Sequence, residues 1–194
     1  MKQVNHRLLL LGILLLLFGG IISAQHQETP KGIFIPSKQA QEDDYNNPES
    51  RFNYKYKAEP ENIVVFWDKS FGLNPMNYPD KEKRFNPDEF LKEGERFFTY
   101  YRDKLKFVDK KRSNLKKHKM ILYMHNDDET TAYGWGADNV GIMWFRPCRI
   151  QEYPYCPLAH EMAHSFQYMI EADGHIGFPG QAILEYGAQW MLWQ

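Results

Sequence analysis

The stretch Leu158-Ala159-His160-Glu161-Met162-Ala163-His164-Ser165-Phe166 contains two histidines four residues apart, with a glutamate directly after the first. On a helix, residues i and i+4 lie one above the other on the same face, so His160 and His164 can direct two imidazoles at one metal ion. Glu161 lies one residue further round, where it can reach a water molecule on that metal without binding the metal. The spacing predicts a helix that carries two metal ligands and a nearby proton acceptor.

The residues around this motif favour a buried helix. Apolar residues recur with helical spacing over 158–170. Pro157 suits the first helical position, and Gly174 suits the position just past the last turn. Because buried histidines need partners and a metal is one, the His-Glu-x-x-His pattern predicts a zinc site with Glu161 as general base. The simpler alternative is a core helix with two incidentally paired histidines.

A catalytic zinc has three protein ligands and a water, and Glu185 is the first candidate for the third ligand. It is the only carboxylate from Gly174 to Gln194, and it lies in an apolar segment with helical spacing. Such a carboxylate is costly to bury unless it is paired or coordinating. The alternative is an exposed glutamate on the polar edge of a helix. Three weaker rivals lie near the end of the first helix: Glu171, Asp173 and His175.

His160, Glu161 and His164, followed by Glu185, resemble the gluzincin metallopeptidases, in which the third ligand is a glutamate on a later helix. The piece Glu185-Tyr186-Gly187-Ala188 looks like the second-helix signature of that family, although its order of small residues differs from the aminopeptidase-like form.

The related metzincin pattern does not fit this chain. Gln167 stands where its glycine belongs, and Ile170 stands where its third histidine belongs. The gluzincin resemblance covers about residues 120–194. The whole chain also looks like secreted bacterial His-Glu-x-x-His proteins of no established function.

The resemblance implies an α+β, zincin-like domain with a mixed or antiparallel sheet, an active-site helix and a second zinc-ligand helix facing a cleft. It also implies a secreted zinc metallopeptidase, a protease that hydrolyses peptide bonds in peptide or protein substrates. His160, His164 and Glu185 would hold one catalytic zinc. Glu161 would take a proton from the attacking water and pass it to the leaving nitrogen. A further donor to the oxyanion is expected among three residues: Tyr168, His175 and Tyr186.

In gluzincins the strand before the zinc helix forms the upper rim of the cleft, and its free edge holds an extended peptide. In this chain that strand is predicted over 140–145. Two other functions stay open at this point. One is a non-catalytic secreted binding module, for example for glycans, with a closed fourth zinc position or no zinc. The other is a zinc hydrolase that acts on substrates other than peptides.

Residues 1–24 have the anatomy of a secretory signal peptide. Lys2 and Arg7 give a positive start, residues 8–18 are apolar, and Ala24 is a small residue at the cleavage point. This predicts a secreted or periplasmic protein without stable membrane association once the signal is removed. The alternative is an uncleaved anchor, because the apolar run approaches spanning length. The net charge of -1 implies no general attraction to nucleic acid or anionic membrane.

The rest of the chain divides into a polar linker or arm over 25–60 and a catalytic domain over 61–194. Within the arm, alternating aromatics over 52–56 permit a short edge strand. Within the domain, apolar runs predict strands over 63–67 and 120–124, and Asn86 caps a helix. The glycine-rich residues 133–141 are expected to form a loop.

Several smaller features carry weaker predictions. Cys148 and Cys156 are an even pair in a signal-bearing chain and predict a disulfide, with zinc ligation as the rival. The oxygen-rich residues 126–129 could hold Ca²⁺. The basic run over 104–119 is interpreted as a solvated helix end and loop, because no aromatics for base stacking are interleaved.

The segment with Glu185 has no stop signal after Trp190 and Trp193. We expect its apolar face, with these two indoles, to lack a packing partner, since such a patch normally marks a missing surface. The sequence therefore predicts a domain truncated at its C-terminal end, with a homodimer or the N-terminal arm as alternative cover.

Overall fold

Five strands form one mixed sheet at the centre of the computed structural model, which describes residues 30–194. The predicted signal peptide lies outside the described residues. Along the chain the strands are β1 Lys57–Ala58, β2 Ile63–Trp67, β3 Met120–Met124, β4 Tyr133–Ala137 and β5 Val140–Phe145. Their order across the sheet is β1-β2-β3-β5-β4. The three middle strands are parallel, and the two outer strands pair antiparallel with them.

The predictions of β2, β3 and β5 are confirmed with the same bounds. These strands read as continuous apolar runs because both faces of the sheet are covered. Alternate residues separate the two faces: Val65 and Leu122 join the core beneath the helices, whereas Val64 and Ile121 join a second cluster on the opposite face.

Over residues 30–194, four α-helices accompany the sheet: α1 Ser37–Glu42, α2 Pro87–Thr99, α3 Cys156–Ala172 and α4 Gln181–Leu192. The cap predicted for α2 is confirmed, since the Asn86 side chain accepts hydrogen bonds from the backbone of Asp88 and Glu89. Helix α2 continues as a π-helix over Tyr100–Lys104. The hydroxyl of Tyr101 donates to the carbonyls of Ala159 on α3 and Met191 on α4, which joins the three helices.

The opposite face of the sheet is covered by the N-terminal segment. Tyr45 and Phe52 are buried there, and the hydroxyls of Tyr45 and Tyr123 lie 2.7 Å apart. The described part of residues 25–60 is thus an arm that lies on the domain and completes its packing. The edge strand expected over 52–56 is wrong: the strand is β1, directly after it, paired with β2.

The loop expected over 133–141 is also wrong, because most of this segment forms β4 and its turn into β5. Strand β5 is therefore paired on both sides, and the free edge next to α3 belongs to β4. Close packing explains the glycines: a Cβ on Gly134 would lie 1.8 Å from the Glu161 carbonyl oxygen, and one on Gly136 would lie 2.0 Å from the Tyr168 ring.

Helix α4 packs its inner face on α3 through Ala188 and Met191, which are fully buried. Trp190 and Trp193, the two indoles expected to lack a packing partner, lie on the outer side of the helix and are 53% and 75% exposed. Within residues 30–194, no helix has both the length and the apolar character needed to cross a bilayer. The architecture is mixed α/β and compatible with the predicted α+β class.

Candidate metal centre

Helix α3 presents the His-Glu-x-x-His motif, as the sequence predicts. It begins at Cys156 with Pro157 in its first turn, and Gly174 follows its end with a left-handed φ of 86°. A glycine adopts this conformation without a steric cost, which is why Gly174 suits the end of the helix. His164 is buried and His160 is half-buried, and their rings are nearly perpendicular with centroids 4.8 Å apart.

Three side-chain atoms converge at one point between α3 and α4. Nε2 of His160 and Nε2 of His164 are 3.1 Å apart, and Oε2 of Glu185 lies 3.2 Å and 3.5 Å from them, respectively. Tetrahedral zinc ligands at about 2.0–2.2 Å from the ion lie about 3.3–3.6 Å from one another. The triangle therefore has the size of a zinc ligand set, and two imidazoles with a carboxylate are donors that zinc accepts.

Glu185 lies where a third ligand would be needed, but the burial cost from which it was predicted is wrong. Its side chain is 52% exposed, so no burial cost demands a partner for it. Among the described residues, the three converging side chains are the only group of His, Cys, Asp and Glu close enough to share an ion. Of its rivals, Asp173 instead accepts hydrogen bonds from Asn114.

Gln167 is the residue near this centre whose role sequence reasoning missed. Its amide oxygen lies 2.8 Å from Nδ1 of His164, and its amide nitrogen donates to the carbonyl of Leu184 at 2.8 Å. In the sequence, Gln167 served only to exclude the metzincin pattern. The one sequence signal for this role was a polar residue, three positions after His164, on a helix that is otherwise apolar there.

Glu161 is buried beside the cluster and beneath β4. Burial raises the pKa of its carboxyl group, while the charge of His164 and a backbone hydrogen bond from Gly134 lower it. The net direction is upward. A carboxylate whose pKa is raised is a stronger proton acceptor, which suits the role of general base.

The positive charge of Arg149 also acts on this centre. Burial lowers the pKa of His160, and the charges of His164 and Arg149 lower it further, against the opposite effect of Glu185. Arg149 also lowers the pKa of Glu161. It comes from the turn before α3 and is exposed. No pattern in the sequence singles out this arginine.

The three candidate oxyanion donors lie in different surroundings. The hydroxyl of Tyr168 accepts a hydrogen bond from the backbone of Asn139 in the β4–β5 turn. Tyr186 and His175 are exposed. Which of the three would donate to an oxyanion stays a prediction.

The predicted disulfide is absent, because Cys148 and Cys156 are both free and exposed. Neither belongs to the group of described side chains that could share a metal ion. The carboxylates considered for Ca²⁺ have protein partners instead. Arg146 pairs with Asp127 at 2.8 Å and also with Glu129, and Lys83 pairs with Asp128 at 2.8 Å.

The fold and this cluster define a mixed α/β protein with a His-Glu-x-x-His helix and a glutamate on the next helix, whose three converging side chains could hold a metal ion. The chain belongs to the family described as "Family of unknown function (DUF6055)", whose model matches residues 25–194. No curated protein and no solved structure matches the chain.

Proposed function

We propose that this protein is an extracytoplasmic zinc metallopeptidase on a zincin-like fold. The observation that carries the proposal is the convergence of His160, His164 and Glu185 on one point, with side-chain atoms 3.1–3.5 Å apart. These residues would hold the ion. Zinc, when bound, supplies a Lewis acid that polarises a carbonyl and lowers the pKa of water.

The chain's own residues would carry the proton transfers. Glu161 is buried and sits one residue round α3 from His160, so it can face the reacting water without being a ligand. Its carboxylate would accept the proton of the attacking water and deliver it to the leaving amide nitrogen. Arg149 adds positive charge to the same region.

Strand β4 favours an extended peptide as substrate. It is an edge strand of the sheet, so one row of its backbone groups has no neighbouring strand. Its Gly134 contacts the backbone of Glu161. A peptide that adds to this edge as a further strand would therefore run beside the proposed base. The signal peptide predicted for residues 1–24 would deliver the enzyme to the same compartment as extracellular or periplasmic protein substrates.

The test combines metal content with proteolysis. We expect the zinc-supplemented wild-type protein to hold one zinc per chain and to cleave a fluorescent casein substrate, with activity lost on chelation. Glu161→Gln should retain zinc and lose about 10²–10⁴-fold in activity, since it removes only the base. His160→Ala should lose the zinc. Glu171→Gln, an exposed glutamate on the same helix, is the matched control and should resemble wild type.

Two results would contradict the proposal. A wild-type protein that binds no transition metal after zinc supplementation would remove its basis. A protein that binds zinc but cleaves neither casein nor a mixed peptide library would exclude the peptidase and favour a binding module or a non-peptide hydrolase.

A further inference from the structure

Gln167 is buried at the contact between α3 and α4, with 1% of its surface exposed. Both ends of its amide are hydrogen-bonded, to His164 on its own helix and to the Leu184 carbonyl on the other. A buried amide with both ends bonded is held in one orientation, because turning it over would set oxygen against oxygen.

The hydrogen-bond partners of Gln167 determine which ring nitrogen of His164 carries a hydrogen. The Leu184 carbonyl can only accept, so the nitrogen end of the amide faces it and the oxygen end faces His164. An amide oxygen also only accepts, so Nδ1 of His164 is the donor. In a neutral imidazole the other nitrogen then carries the lone pair. That nitrogen is Nε2, which points at the converging ligand atoms.

The same amide also holds the helix of the third ligand. Leu184 directly precedes Glu185, so the hydrogen bond to its carbonyl fixes α4 at the residue next to the carboxylate. Space for the amide comes from Gly187, one turn further along α4. A Cβ at Gly187 would lie 2.9 Å from the amide nitrogen of Gln167.

We propose that Gln167 is a positioning residue that sets two zinc ligands at once, the ring of His164 through its oxygen and Glu185 through its nitrogen. This inference rests on the proposed zinc site. Loss of a hydrogen-bond partner behind a metal ligand typically costs about 10–100-fold in metal affinity. Because both ligands depend on Gln167, we expect its removal to fall toward the upper end of that range.

The first test replaces Gln167 by Met, which is unbranched and fills a similar space without a donor or acceptor for these partners. Ser165→Ala is the matched control: Ser165 is buried on the same helix, and its hydroxyl bonds the backbone carbonyls of Ile142 at 3.0 Å and Glu161 at 3.3 Å, neither of which is a proposed ligand atom. Zinc affinity is measured by competition with a chromophoric chelator. The Co²⁺-substituted absorption spectrum reports ligand geometry. We expect Gln167→Met to weaken zinc binding about 10–100-fold and to change the Co²⁺ spectrum, and Ser165→Ala to change neither.

The second test acts from the other helix and leaves Gln167 in place. Gly187→Ala adds the methyl group that meets the Gln167 amide. Alanine is favoured over glycine inside a helix by up to about 1 kcal/mol, so α4 itself is not weakened by the change. We expect zinc affinity to fall while the melting temperature is kept or raised. This variant also serves if Gln167→Met does not fold.

Combination with Glu185→Ala tests the coupling. If Gln167 positions Glu185, the loss caused by Gln167→Met should be smaller in the Glu185→Ala background than in wild type. Equal zinc affinity and equal Co²⁺ spectra for wild type, Gln167→Met and Gly187→Ala would overturn the positioning role, while leaving the zinc site intact. A wild-type protein without zinc affinity would instead overturn both proposals.

Discussion

Gly134→Ala is the substitution that tests most directly whether β4 fixes the proposed base. The new Cβ would lie 1.8 Å from the carbonyl oxygen of Glu161 and 2.8 Å from its Cα. Both atoms belong to the backbone of a buried helix, so no side chain can turn away. Separations under 3.0 Å are essentially never observed for a Cβ. The strand and the helix must therefore move apart by at least about 1.2 Å, the difference between 3.0 Å and 1.8 Å.

Gly134→Ala is expected to lower both folding stability and activity. Overfilling a packed contact costs about 1–3 kcal/mol of folding stability, and an edge strand can relieve part of this by moving outward. That movement also draws the backbone of Gly134 away from Glu161, whose pKa it lowers. A displacement of about 1 Å in a catalytic group lowers the rate about 10²-fold. We expect a folded, zinc-loaded protein with casein hydrolysis reduced by about that factor.

Two other glycines provide controls. A Cβ on Gly32 would find its nearest neighbour at 3.9 Å, an ordinary contact, so Gly32→Ala should behave as wild type. A Cβ on Gly136 would meet the Tyr168 ring and the Val140 carbonyl rather than Glu161. Gly136→Ala should therefore lower stability with a smaller loss of activity. Urea unfolding, zinc content and hydrolysis are measured on all variants. Activity of Gly134→Ala within about threefold of wild type would refute the claim that β4 positions Glu161.

Two further predictions concern stability. Burial and the charge of Arg51 lower the pKa of His125 to about 4 from 6.5. As the pH falls, the unfolded chain therefore takes up a proton at His125 before the folded protein does. The contribution of neutral His125 to the free energy of unfolding is present in full above pH 6.5 and falls by up to about 3 kcal/mol towards pH 4. Urea unfolding measured against pH checks this, and His125→Gln should flatten the dependence of stability on pH. Tyr101→Phe removes the hydroxyl that bonds the Ala159 and Met191 carbonyls. It should cost about 1–3 kcal/mol in urea unfolding, and an unchanged midpoint would count against this tie between the helices.

The central strands and the helix with the His-Glu-x-x-His motif could be predicted from the sequence because their determinants are local. Strands β2, β3 and β5 are continuous apolar runs, which is the pattern of strands covered on both faces. The ends of α3 follow from Pro157 and Gly174, whose backbone preferences do not depend on distant contacts. The i, i+4 spacing of His160 and His164 is likewise a property of one helix.

Glu185 and Gln167 show where local reasoning stops. The sequence indicated Glu185 through a burial cost, yet the side chain is half-exposed and its position depends on how α4 packs on α3. That packing is a tertiary property, and the Gln167–Leu184 hydrogen bond that contributes to it joins residues 17 positions apart. A helical pattern shows which residues face inward, but not which residue of the next helix they meet.

Two glycines at the site share one physical explanation. Gly134 and Gly187 both lie where another segment approaches α3 more closely than a side chain allows, at Glu161 and at Gln167 respectively. In the sequence, a glycine without its neighbours indicates a turn, so residues 133–141 were expected to be a loop. In the fold, these two glycines let β4 contact the backbone of the proposed base and let α4 approach the amide behind a proposed ligand. The geometry of the site thus depends on the absence of a side chain at these two glycines as well as on its four functional side chains. This dependence cannot be seen until the partners of each glycine are known.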